Sequence, residues 1–242
     1  MCWSSEASFT VAAIGAAGVA VAVWRRDDPL LWVPLAYFTS MEVLQGVSYR
    51  SIGQCGLPEN QVMAMLAYIH ICFQPLFGFL LALHFIPDDA KRRFAAIGIA
   101  LACGTAVYLL LQAYPFEWAG PCRKGRLLCS QQLCVLPGSW HLEWHIPMND
   151  IGERVPALVF GVGVELQLPS YFLMMFVLPA LMGSWKVVLV QFLLGPGIVW
   201  MLSDSPHERP AIWCILSVAI VLIVMFPAIR RHLYVRRWVG WS

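Results

Sequence analysis

Apolar runs of about 20 residues recur along the chain, each closed by a short cluster of charged or turn-forming residues. Seven stretches read as membrane helices, at 8–24, 29–49, 61–86, 94–114, 156–184, 186–202 and 211–229. The breaks fall at RRDDP, RSIGQCGLPEN, PDDAKRR, GSWK and SDSPHERP, and in one long connection, 115–155. The pattern predicts an all-α fold, a polytopic membrane bundle of seven transmembrane helices forming one domain over residues 1–242. Pro156 and Pro169 flank the front of the fifth stretch, which is expected to be re-entrant or interfacial. The sixth contains Gly195-Pro196-Gly197, where a helix must bend.

Composition supports this class. Hydrophobic residues make up 60% of the chain and charged residues 12%, and the mean hydropathy is +0.69, values outside the range of soluble domains. The formal charge of +2 is too small for a nucleic-acid partner, and the basic residues gather at the ends of apolar runs. Membrane lipids and other membrane subunits are the expected partners. The opening MCWSSEASF has no basic n-region, so the first span is expected to be retained.

Charge also orients the spans. Of the 16 Lys and Arg residues, ten fall on one side of a seven-span arrangement, in the clusters at 25–26, 91–93, 186, 230–231 and 236–237. The positive-inside rule then places the N-terminus outside and the C-terminus in the cytoplasm. Cys2, Cys55, Cys122, Cys129 and Cys134 all come to the outer face, where a disulfide pinning 115–155 is expected and its connectivity stays open. Free thiols in a reducing compartment are the alternative.

Polar residues inside the spans point to chemistry. Glu42 and Gln45 share one face of the second span, and His70 and Gln74 one face of the third. A carboxylate at the centre of a span costs about 2.5–3.5 kcal/mol on insertion scales, so such groups mark buried sites. Glu42 lies about 10 Å and His70 about 13 Å below the outer interface, counting 1.5 Å per residue. Two readings follow: an interhelical hydrogen bond, or an outward-facing pocket lined by Glu42, Gln45, His70 and Gln74 and roofed by Glu208 from the loop before the last span. Near the end of the long connection, His141 and His145 stand four apart in SWHLEWHIP. On a helix they would share a face and supply two ligands of a metal, with His70 as a third. An amphipathic interfacial helix with Trp140 and Trp144 at headgroup level is the competing reading.

The succession MCWSSEAS, MEVLQGVSY, HICFQP, LPALMGSW, GPG and ERPAIWC resembles an uncharacterised family of small polytopic membrane proteins in bacteria and giant viruses that begin Met-Cys-Trp. That resemblance implies the span pattern and no reaction. The HxxxH pair at 141 and 145 looks similar to the seven-span metal hydrolases of the alkaline ceramidase and adiponectin-receptor type. It departs from them in preceding the fifth span, with no His in the last span and no intramembrane Asp. Three functions are carried forward. One is binding of a lipid, quinone-like or pigment ligand, alone or as a subunit of a larger membrane assembly. Another is a zinc-dependent hydrolase in which His70, His141 and His145 hold Zn²⁺ and Glu42 serves as general base. The last is a proton-coupled transporter.

Overall fold

The computed structural model describes residues 3–152 and 169–235. Cys2, Pro156, Arg236 and Arg237 lie outside the described residues. Helix α1 (Ser5–Trp24) starts at Ser4, whose hydroxyl accepts from the Ala7 N–H at 3.3 Å. Helix α2 (Pro29–Ser48) starts at Asp28, whose carboxylate accepts from the Leu30 N–H at 2.9 Å, with Pro29 in the first turn where its missing donor is not needed. Helices α3 (Pro58–Phe85) and α4 (Asp88–Leu111) follow, the latter with Asp88 and Asp89 at its positive end. At 1.5 Å per residue α3 is about 42 Å long, more than the about 30 Å of a hydrocarbon core. Its first turns project beyond the bundle into the segment after α4.

That segment is folded, and it corrects the expectation of a purely helical chain. Strands β1 (Cys129–Ser130), β2 (Cys134–Pro137) and β3 (Leu142–Pro147) form a sheet with β3 in the centre, β2 antiparallel to it and β1 parallel. The reason is period two: Leu142, Trp144 and Ile146 are fully buried and alternate with the half-buried Glu143 and His145. The interfacial helix expected around Trp140 and Trp144 is therefore a strand. Two disulfides, Cys55–Cys134 and Cys122–Cys129, use the four cysteines expected to pair, while Cys72 and Cys214 are buried thiols.

Three polar side chains seat this cap on the helices. Asn60, fully buried in the first turn of α3, donates to the carbonyls of Ser51 (2.7 Å) and Val135 (2.9 Å) and accepts from the Val135 N–H (2.8 Å). Asn149 donates to the carbonyls of Leu111 and Tyr114 beyond the end of α4, at 2.7 and 2.6 Å. Glu208, ahead of the last long helix, holds the turn between β2 and β3. Each saturates backbone groups that burial would otherwise leave unpaired.

Beyond the cap, α1 to α4 and the helical run Pro169–Leu202 are each long and apolar enough to cross a membrane. The run is not one rod. At Gly183 the backbone takes φ +107°, a conformation that glycine alone adopts cheaply. The Phe176 and Phe192 rings lie 5.8 Å apart, whereas residues 16 apart in a straight helix would be separated by about 24 Å. The run is thus a hairpin of two helices, α5 (169–182) and α6 (185–202), turning at the GSWK break seen in the sequence. Helix α7 (Arg209–Met225) packs against α2, and α8 (Pro227–Leu233) leaves it at 92°.

The helix ends away from the cap carry basic residues. Arg230 pairs with Asp27 at 3.4 Å, His84 lies 2.7 Å from Asp28, and Lys186 donates to the carbonyls of His232 and Tyr234 at 3.0 and 3.4 Å. These contacts gather the ends of α1, α3, α5 and α7 at one pole, with the disulfides at the other.

Candidate functional site

The four polar residues of the second and third apolar stretches divide among three neighbourhoods. On α2, Glu42 and Gln45 are fully buried, and the Gln45 amide donates to the Ala211 carbonyl of α7 at 3.3 Å. Neither oxygen of Glu42 has a hydrogen-bond partner among the described residues. His70 turns elsewhere: its ring stacks on Tyr37 at 4.0 Å, Nε2 lies 2.9 Å from the Tyr37 carbonyl, and the Tyr37 hydroxyl donates to the His70 carbonyl at 2.5 Å. No hydrogen bond or ion pair joins Glu42 to His70 among the described residues.

Gln74, one turn below His70, faces α5 and α7. Its amide nitrogen donates to the Cys214 sulfur at 3.0 Å, its oxygen accepts from the Tyr171 hydroxyl at 2.8 Å, and the Trp213 indole N–H donates to that hydroxyl at 2.9 Å. This buried network floors a cleft of about 400 Å³ between α3, α5, α6, α7 and the cap. Phe172, Phe176, Val199, Trp200 and Trp213 wall it, and Leu127, Leu128 and Arg209 edge it at the cap. Its volume falls within the about 300–1,000 Å³ of small-molecule sites. Gly195 is needed in the wall, because a Cβ there would run into the Trp213 ring. The turn at Leu193–Gly197 is a π-turn, a local widening of the helix that recurs at functional sites.

Of the five residues expected to line one pocket, Gln74 lines this cleft. Glu42 and Gln45 are packed between α2 and α7, and His70 sits against Tyr37. Glu208 accepts from the Ser139 hydroxyl at 3.0 Å, from the backbone N–H groups of Trp140 and His141 at 2.5 Å each, and from the Ser203 hydroxyl. Burial would raise the Glu208 carboxyl, but these donors outweigh it and hold the group below the usual carboxylate range. Tyr171, Trp200, Arg209 and Trp213 were missed in the sequence; aromatic residues recurring near the Gly195-Pro196-Gly197 break and the ERPAIW segment were the available signal.

The histidines of the cap do not assemble with His70. His141 is fully buried, its Nδ1 accepting from the Leu142 N–H at 2.7 Å with the Tyr49 hydroxyl 3.3 Å away. Burial pushes its pKa down to about 3 against the pull of Glu208, so the ring is neutral. His145 contacts Glu143 at 3.1 Å and stacks on His207 at 4.1 Å. Extended backbone separates His141 and His145 by about 13 Å at 3.3 Å per residue, too far for one ion. No group of three His, Cys, Asp or Glu side chains among the described residues converges as a metal site. The zinc set of His70, His141 and His145 rested on a helix that the alternating sequence does not form.

The family model that matches the chain covers residues 6–234. The chain belongs to DUF5765, a family of unknown function. No curated protein and no solved structure matches the chain. Membership agrees with the resemblance to an uncharacterised family, and nothing in the comparisons points to ceramidase-type hydrolases. For this member of DUF5765, the cleft floored by Gln74, Tyr171 and Trp213 is the candidate binding geometry.

Proposed function

We propose that this DUF5765 protein is a seven-span membrane protein, cap outward, whose cleft holds a hydrophobic small molecule, alone or as a subunit of a larger membrane assembly. Lipid-like, quinone-like and pigment molecules are the classes of ligand it would take. The observation that carries the reading is the cleft itself: about 400 Å³ of largely apolar space with a polar floor at mid-bundle. Apolar walls around a few convergent polar groups are the usual make-up of a small-molecule site. The orientation is supported by two poles of opposite character, basic residues at one and disulfides at the other. The Gly183 hairpin supports the count of seven, since it provides fifth and sixth rods from one helical run.

Native mass spectrometry of the protein purified in a mild detergent tests the reading. Wild-type protein is expected to carry a co-purifying hydrophobic molecule at near-stoichiometric occupancy. Val199→Trp, which fills the cleft from a wall position, is expected to lose it while keeping the helical circular dichroism of the wild type. An empty wild-type protein, or equal occupancy in the filled variant, would overturn the assignment.

A further inference from the structure

The cleft holds information about the head group of its ligand. Its polar floor is largely engaged: Gln74 gives one amide hydrogen to Cys214 and its oxygen accepts from Tyr171, and the Tyr171 hydroxyl donates to Gln74 while accepting from Trp213. A neutral carbonyl ligand, such as a quinone, would find there at most the second amide hydrogen of Gln74. The rim differs. Arg209 lines the cleft and, among the described residues, commits only Nε, to the Ser203 carbonyl at 3.0 Å. Among the described residues no carboxylate pairs with its guanidinium. The adjacent Glu208 carboxylate is directed onto the turn at 139–141 and is saturated by four donors. A guanidinium presents a planar fork suited to phosphate or carboxylate, and the first turn of α7 adds partial positive charge at the same level.

Resting on the binding reading above, we propose that the occupant of the cleft is an anionic membrane lipid. Its phosphate or carboxylate head sits on Arg209 at the cap edge, and its chain runs between Trp200, Val199, Phe172 and Phe176. The layout matches that of an amphiphile in a bilayer. The cation lies near the cap, where headgroups are, and the aromatic walls extend toward mid-bundle.

The test uses three probes that share one chain and differ in head: oleate, oleyl phosphate and oleyl alcohol. Each is titrated into the full-length delipidated protein in a neutral detergent and read by native mass spectrometry. Oleate and oleyl phosphate are expected to bind about tenfold or more tightly than oleyl alcohol, the scale of one charge-assisted contact. Arg209→Gln is expected to erase that difference, and Arg209→Lys to keep most of it. Equal binding of all three probes, unchanged by Arg209→Gln but abolished by Val199→Trp, would overturn the anionic head and leave the cleft reading standing. Binding of no probe, or binding indifferent to Val199→Trp, would bring down both. Displacement of oleyl phosphate by equimolar inorganic phosphate would show a site for a free anion and overturn the lipid.

Discussion

Glu208 and His141 show how single side chains set the conditions under which the cap holds. Both are buried, one as a carboxylate saturated by donors and the other as a neutral imidazole accepting from a backbone N–H. Both native pKa values are depressed, so the unfolded chain binds more protons as pH falls. The His141 contribution is complete above its unfolded value of about 6.5 and is lost as pH drops toward its native value. The Glu208 contribution is complete above about 4.3 and lost below it. Acidification from pH 7 to pH 4.5 is therefore expected to remove about 2–3 kcal/mol through His141. Melting followed by tryptophan fluorescence checks this: the wild-type Tm falls over that range, and His141→Gln flattens the dependence. At neutral pH, Glu208→Ala is expected to cost about 3 kcal/mol, because it strands several buried donors together. Much of this was hidden in the sequence. That Glu42 and Gln45 are buried was legible from the cost of polar groups in apolar spans. That His70 pairs with Tyr37 was not, since it depends on helix rotation, and Asn60 and Asn149 look like ordinary loop residues until their carbonyl partners are known.

At the scale of elements, apolar length located the helices well. The α2 stretch expected at 29–49 is Pro29–Ser48, and the α3 stretch expected at 61–86 is Pro58–Phe85. The helical reading of the cap failed because a four-residue spacing of histidines was weighed above the alternation of Leu142, Trp144 and Ile146 around them. The GSWK break was legible, and Gly183 is its physical basis. Gly183→Ala is expected to cost about 1–3 kcal/mol by forcing a side chain into a left-handed backbone region. Gly104 lies within α4 with open space where a Cβ would stand. Gly104→Ala is expected to stabilise by about 0.5–1 kcal/mol through the unfolded chain. Paired thermal melts of the two variants against wild type decide this, and a destabilised Gly104→Ala or an unaffected Gly183→Ala would contradict the account.

For the molecule as a whole, polarity along the bundle axis is the organising fact. Disulfides, sheet and the rim of the cleft lie at one pole, and the Asp27–Arg230 and Lys186 contacts at the other. Cys134→Ser releases Cys55, which is half-buried at the cap. A membrane-impermeant maleimide added to sealed cells is expected to label that thiol without permeabilisation, and labelling only after lysis would invert the proposed orientation. The same axial order bears on biogenesis. The Trp3 backbone N–H donates to the Trp140 carbonyl and its ring stacks on Trp140 at 5.7 Å, while Glu208 grips the same turn from just ahead of α7. A residue ahead of α1 and one ahead of α7 thus close on one turn. A ribosome-bound chain lacking residues beyond 203 would carry a cap that protease cuts readily, and protection would arrive only once α7 has been made.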